Sequence, residues 1–329
     1  MLEDSLQEDV YTQFRALIQK HFPEFFFRHK GYTGFNFYAD LASENKLFKD
    51  TPYFYKEELT FIHWTSINNL LSILNNREIR LYNLYNSEDE HEFYYAAEIL
   101  GLESAQINYL KKYYYTFSFC KKEDINNKYL WGNYGDNYKG VAIKFTIEND
   151  PTEWDKFMIS NIHYSVPDNF KEFAKDIAEL QNKYGADFKG FNIGKLIGFH
   201  KKHDFHSENE VRIATYFPYS DFEEYLKYAK TEFRINKKRN RTTEYIPLPL
   251  WVNNDAAYVQ SDKEELSRIS KFNDEYFKTR PKIKIKNIYF GENCGLDNLE
   301  FYTYRQKIID IIRFNFGYIL NIDLNLYKG

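Results

Sequence analysis

Three stretches of this 329-residue chain carry side chains whose types could do chemistry together. The first is Phe61-Ile-His-Trp-Thr-Ser66, an apolar and aromatic run around one histidine. A histidine at the end of a strand, above a helix start, can hold a polar ligand; the plainer alternative is a core histidine satisfied by its neighbours. The second is Tyr129-Leu-Trp-Gly-Asn-Tyr-Gly-Asp-Asn-Tyr-Lys-Gly140, where Trp131 and Tyr134 are interleaved with Gly132, Gly135 and Gly140. Glycines let the backbone approach a ligand and rings supply flat stacking surfaces, although an aromatic-packed hairpin explains the same pattern. The third is Glu208-Asn-Glu-Val-Arg212. A carboxylate at a strand edge beside a cleft can stabilise a ribosyl cation or orient a ribose hydroxyl; the alternative is a structural pair between Glu210 and Arg212. Glu208 and Glu210 share a side if the chain is extended there. They are too close in sequence to flank a glycosidic bond as a hydrolase pair would.

The elements that must position these groups follow from periodicity. Phe61 to Trp64 reads as a buried strand, Thr65 or Ser66 as a helix cap, and Ile67, Leu70, Leu71 and Leu74 as the apolar face of a helix that ends at Asn75-Asn76. Glu78 to Leu84 is extended again. Tyr113–Cys120, Val141–Phe145, residues 158–166, Glu210 onward, Tyr245–Val252 and Lys282–Phe290 read as strands; the prolines of the 245–252 stretch place it at a sheet edge. Helices are expected over residues 4–21, 169–185, 220–230 and 296–314, with a long one from Ile193, and Ser87 or Asp89 caps a further helix through Tyr94, Ala97 and Leu100. Residues 24–58 look irregular, with Gly31 and Gly34 as turn signals. The tail from Asn315 holds one more possible strand.

Composition narrows the function classes. A formal net charge of −4 argues against a general nucleic-acid binder. Asn236-Lys-Lys-Arg-Asn-Arg241 is the one compact basic run, read first as a solvated loop and second as a phosphate contact. Cys120 and Cys294 fit no metal spacing and point to a reducing, cytoplasmic setting. His200, His203 and His206 lack a cysteine or glutamate partner at zinc spacing, so no metal is expected. The acidic, polar start does not resemble a signal peptide, and no apolar run approaches the roughly 20 residues of a membrane span. The expected organisation is an N-terminal helix and aromatic-rich extension over 1–58, a main domain over 59–315 and a tail over 316–329.

Several separated blocks in order resemble the bacterial domain-of-unknown-function family 2971 over most of residues 60–315. They are Ile62-His-Trp-Thr-Ser66 with Leu71-Ser-Ile-Leu74, Asp89 with Glu92-Phe93, Phe117-Ser-Phe119, Trp131-Gly-Asn-Tyr-Gly135, Gly140-Val-Ala-Ile143, Glu208-x-Glu210-x-Arg212 and Ile288-Tyr-Phe-Gly291. The first block, with the order histidine, aromatic, glutamate, is also similar to the His-Tyr-Glu constellation of the ADP-ribosyltransferase-like superfamily. That resemblance implies an α+β fold with a split, mostly antiparallel sheet core and flanking helices. It implies NAD as substrate and a macromolecular acceptor, protein or nucleic acid, as in toxins and anti-phage effectors. His63 would bind the NAD ribose and nicotinamide amide, Tyr134 with Trp131 would stack on nicotinamide, and Glu210 would hold the ribose 2′-hydroxyl. Thr65, Ser118 and Glu208 complete the implied NAD-contacting set, and Arg77 or Arg80 is assigned to the pyrophosphate on charge alone. The Glu-x-Glu pair resembles the arginine-modifying branch and the histidine the other, so the acceptor stays open.

Two further readings compete with this enzyme: a non-catalytic module that binds a nucleotide or a partner in the same cleft, and a nucleic-acid-binding protein using the 236–241 run with surface aromatics. The enzyme expects His63, Tyr134 and Glu210 to converge with Glu210 unpaired by arginine. The binding module expects Glu210 neutralised by Arg212 or a neighbour.

Overall fold

A computed structural model describes residues 2–24, 26–33, 36–42, 51–86, 93–99, 101–154, 156–185, 187–191, 194–216, 231–236, 241–251, 274–295, 298–316 and 324–326. Its helices are α1 (Leu2–His21), α2 (Ile67–Asn76), α3 (Tyr94–Ile99), α4 (Ser104–Lys112), α5 (Lys128–Asn133), α6 (Asp168–Tyr184), α7 (Gly194–Ile197), α8 (Asp274–Phe277) and α9 (Asn298–Phe316). Its strands are β1 (Phe26–Thr33), β2 (Asn36–Ala42), β3 (Thr60–Thr65), β4 (Glu78–Asn83), β5 (Tyr114–Lys121), β6 (Val141–Ile147), β7 (Phe157–Asn161), β8 (Asp187–Phe191), β9 (Glu210–Tyr216), β10 (Glu232–Asn236), β11 (Arg241–Pro249), β12 (Ile283–Phe290) and β13 (Leu324–Leu326).

The fold is α+β, built on a curled, mostly antiparallel sheet of ten strands, with a separate three-stranded sheet of β1, β2 and β8. The large sheet runs β10-β11-β4-β5-β3-β6-β12-β13, and β9 joins β5 to β7. One feature of the register organises the site. The edge of β5 is shared by two strands. β4 takes its start, at Tyr82–Thr116 and Asn83–Tyr115, and β3 takes its end, at Phe61–Lys121 and Ile62–Cys120. Phe117, Ser118 and Phe119 lie between these pairings, and β3 leaves β5 after Ile62 to follow β6 as far as Thr65–Val141. The sheet therefore has a seam beside His63.

The sheet's two faces are covered differently. Phe61, Tyr115, Phe117, Phe119, Ile143, Phe145, Val211 and Ile213 form one apolar layer with Leu70 and Leu74 of α2 and Ile308 and Ile312 of α9. Full burial of each such aliphatic side chain contributes about 1.5–3 kcal/mol. On the other face Tyr114, Ala214 and Tyr216 pack with Val10, Phe14 and Ile18 of α1, Phe170 and Phe173 of α6, and Ile197 of α7. A third cluster holds Ile62, Trp64, Leu130, Trp131 and Ala142.

Several expectations need correction. Residues 26–33 and 36–42 are not irregular: β1 and β2 pair antiparallel, and Gly31 sits inside β1 opposite Tyr38, while Gly34 lies outside the described residues. The glycine-rich 129–140 stretch is no hairpin. Asn127 caps α5 through the backbone N–H of Tyr129 and Leu130, and the chain then turns through Asp136, Asn137 and Tyr138, all at positive φ. The cap and the buried Leu130-Trp131 pair outweigh the low helix propensity of glycine. The helix expected from Ile193 is only the single turn of α7. β11 is not an edge strand, since β10 and β4 pair on its two sides. Its prolines are tolerated because β10 reaches only to Tyr245, leaving Pro247 and Pro249 paired with β4 alone. The residue 220–230 helix, Ser87, Asp89 and Glu92 lie outside the described residues.

Candidate functional site

His63 sits on β3 at the seam. Its Nδ1–H donates to the Ser118 carbonyl at 3.0 Å, which fixes the tautomer because a carbonyl can only accept. Burial lowers its pKa to about 4, against a smaller opposing effect of the Ser118 bond, so the ring is neutral at pH 7 and Nε2 is an acceptor. The ring lies 4.5 Å from that of Phe117.

Ser118 connects this histidine to the carboxylates. Ser118 lies opposite Arg212, and Cys120 opposite Glu210, in the β5–β9 ladder, so Ser118, Glu210 and Arg212 share a face. The Ser118 hydroxyl donates to Glu210 Oε1 at 2.5 Å. Arg212 donates to the same oxygen through Nε at 2.9 Å and Nη2 at 2.7 Å, and anchors itself by an Nη1 bond to the Gly198 carbonyl. Lys201 Nζ holds Glu210 Oε2 at 2.5 Å and Glu208 Oε2 at 2.9 Å. The Tyr134 hydroxyl donates to Glu208 Oε1, and the Tyr164 hydroxyl accepts the Glu210 backbone N–H at 2.8 Å. Burial pushes the Glu210 carboxyl's pKa up, but Arg212, Lys201 and Ser118 outweigh that and hold it low. Burial and Glu208 push the Tyr134 phenol up, so it stays protonated as a donor.

The structure thus brings Ser118, Tyr134, Glu208 and Glu210 into one cluster joined through Lys201, ties His63 to it only through the Ser118 backbone carbonyl, and leaves the other assigned residues out of it. Trp131 is fully buried, donates its ring N–H to the Ile125 carbonyl at 2.7 Å and meets the Trp64 and Tyr138 rings. It is core, and no ligand can stack on it. Thr65 accepts from the Asn69 side chain at the start of α2. Arg77 closes α2 in a left-handed conformation and donates to the Asn315 carbonyl. Arg80 pairs with Glu78 and lies over the Tyr245 ring at 4.7 Å. Glu208 does not extend β9. It ends a 3₁₀ turn, with Asn209 left-handed, and converges with Glu210 through Lys201 rather than through strand alternation. Asn236 and Arg241 pair at the end of the β10–β11 ladder, and residues 237–240 of the basic run lie outside the described residues.

Lys201 is the residue that sequence reasoning missed. It stands in a Lys/His-rich segment whose histidines are the more conspicuous side chains. Charge balance could have found it, because two carboxylates beside one arginine call for a second cation. The histidines of that segment have other partners. His200 is buried, donates Nδ1–H to the Ser165 carbonyl and accepts the Tyr53 hydroxyl at 3.0 Å, and His206 bonds the His203 carbonyl.

A family model described as "Protein of unknown function (DUF2971)" matches residues 130–213. That span holds Tyr134, Lys201, Glu208, Glu210 and Arg212, and it supports the relationship to this family there. No curated protein and no solved structure matches the chain. Among the described residues no helix is long and apolar enough to cross a membrane.

Proposed function

We propose that the seam between β3 and β5 binds a nucleotide of the NAD class without turning it over, with Arg212 kept on Glu210 in the bound state. One observation carries this reading: Glu210 is 4% exposed, its Oε1 accepts from Ser118 and Arg212, and its Oε2 is held by Lys201. A carboxylate so enclosed is not presented to a ribose hydroxyl while Lys201 and Arg212 both hold it. The groups left for a ligand are the neutral His63, whose Nε2 accepts from a carboxamide N–H or ribose hydroxyl, and the ring of Tyr134, 46% exposed, as a stacking surface.

The second reading is an ADP-ribosyltransferase-like enzyme that modifies a macromolecule, a toxin or anti-phage effector. It is favoured by the shared cluster of Tyr134 and Glu210, with His63 bonded to the Ser118 backbone beside it. Nicotinamide leaves as a neutral molecule, so this chemistry needs an orienting clamp, a stacking ring and one carboxylate rather than a strong acid. It requires Glu210 to be released from its cations.

Calorimetry with NAD, run beside a nicotinamide-release assay on wild type and Glu210→Gln, separates the readings. Binding without release is expected. Release that disappears in Glu210→Gln would establish the transferase instead, and the absence of both would exclude NAD from the seam.

A further inference from the structure

The charges of Lys201, Arg212, Glu208 and Glu210 balance, but they are not equally enclosed. Arg212 is 1% exposed at its side chain, Glu210 4% and Glu208 6%, whereas Lys201 is 14%. Arg212 is tied to both Glu210 and the Gly198 carbonyl. Lys201 is the most exposed charge of the group, its ammonium shared between the two carboxylates and lying over the Phe205 ring at 5.9 Å. It reaches Glu208, the same carboxylate that takes the hydroxyl of the half-exposed Tyr134. The mouth of the cluster is therefore an ammonium beside a flat aromatic surface.

We infer that Lys201 is an anion-binding latch: a phosphate or pyrophosphate group of the ligand draws Nζ off Glu208 and Glu210, and this withdrawal uncovers Glu210 Oε2. The inference rests on the seam being a ligand site, as argued above, and it names the anionic part of that ligand. The physical basis is competition for one ammonium. Two carboxylates share it in a half-dry site, and an incoming phosphate offers a charge at least as large with better access to water. Arg212 stays on Oε1, so the carboxylate remains ionised when Lys201 leaves. The freed Oε2 then becomes an acceptor for a donor on the same ligand. In this way a single lysine would make Glu210 available only when an anion is present.

The test is calorimetric titration of the full chain with inorganic pyrophosphate and, separately, with NAD. Lys201→Met leaves two carboxylates with one cation and risks misfolding. The double variant Lys201→Met/Glu208→Gln keeps the cluster neutral and serves as the folded comparator. Wild type is expected to bind pyrophosphate in a salt-sensitive manner, and the double variant at least ten-fold more weakly. Glu208→Gln alone, which removes one competitor for the ammonium, should bind pyrophosphate several-fold more tightly, an outcome that a purely structural lysine would not give. Equal pyrophosphate affinity in wild type and double variant overturns the latch, as does the absence of pyrophosphate binding to wild type. The nucleotide reading fails separately: pyrophosphate binding without NAD binding keeps the latch and removes NAD, whereas NAD binding unchanged in the double variant keeps NAD and removes the latch.

Discussion

Side chains of the same type have opposite fates here according to the hydrogen bonds they can reach. Trp131 and Tyr134 are three residues apart, yet Trp131 spends its one donor on a buried carbonyl and Tyr134 aims its hydroxyl at Glu208 with its ring half in water. Their substitutions should separate accordingly. Trp131→Phe should cost about 1–3 kcal/mol in urea denaturation, through an orphaned Ile125 carbonyl and lost packing, and leave NAD affinity unchanged. Tyr134→Ala should weaken NAD binding about ten-fold or more, the worth of about 1–3 kcal/mol for one stacked base, with a smaller effect on stability. Arg212→Met should be among the most damaging changes. It strips Glu210 of two hydrogen bonds in a dry site, and breaking a buried pair from one side costs about 3–5 kcal/mol. Denaturation midpoints would check this, with Arg212→Lys expected to recover only part of the loss because an ammonium cannot reproduce the guanidinium fork.

At the scale of elements, the seam and the turn after α5 position the site. The turn passes Asp136, Asn137 and Tyr138 at φ values of 51°, 52° and 65°, a conformation disfavoured for side-chain-bearing residues. It is held from both sides. A Cβ on Gly140 would meet the Thr65 carbonyl at the end of β3, and one on Gly291 would meet the Tyr138 backbone at the end of β12. Gly140→Ala should therefore lower the melting temperature by several degrees, consistent with an overpacking cost of about 1–3 kcal/mol. Because the shift reaches both β3 and the α5 turn, NAD affinity should fall with it in the same calorimetric assay. Much of this scale was readable in the chain: the cap and apolar face of α2, the strand character of β5 and β9, and the alternation that opens β12. The turn was not, because Asp and Asn each tolerate a left-handed residue but a third in succession, at Tyr138, is seen only once Gly140 and Gly291 are known to let β3 and the Tyr138 backbone pass close.

Among the described residues, three histidines have pKa values that burial holds down. Burial sets His63 at about 4 and His200 at about 3, the latter with a contribution from His163, which burial also lowers. For a histidine lowered in the folded state, the unfolded chain binds the proton first. Stability is then fully present above the unfolded value near 6.5 and falls as pH drops towards the folded values. The chain should lose stability between pH 6.5 and 4, with His63 alone contributing on the order of 3 kcal/mol. Urea midpoints at pH 7 and pH 4.5 would measure this, and His63→Gln should show a smaller loss across the same interval. An equal loss in the variant would mean that His63 is less enclosed than its place at the seam requires.

The sequence by itself determined the helix and strand periodicities, the α+β class and the residue types of the site, since burial patterns and caps are written in nearest neighbours. His63, Tyr134, Glu208 and Glu210 were all legible as candidates for that reason. Only the tertiary structure decided that Ser118 links the histidine to Glu210, that Lys201 bridges the two glutamates, and that Trp131, Arg77 and Arg80 serve packing and helix ends. Those outcomes depend on β5 being shared between β3, β4 and β9, strands that lie far apart in the chain. Pairing partners and the balance of buried charge are properties of space, and no local spacing of residues encodes them.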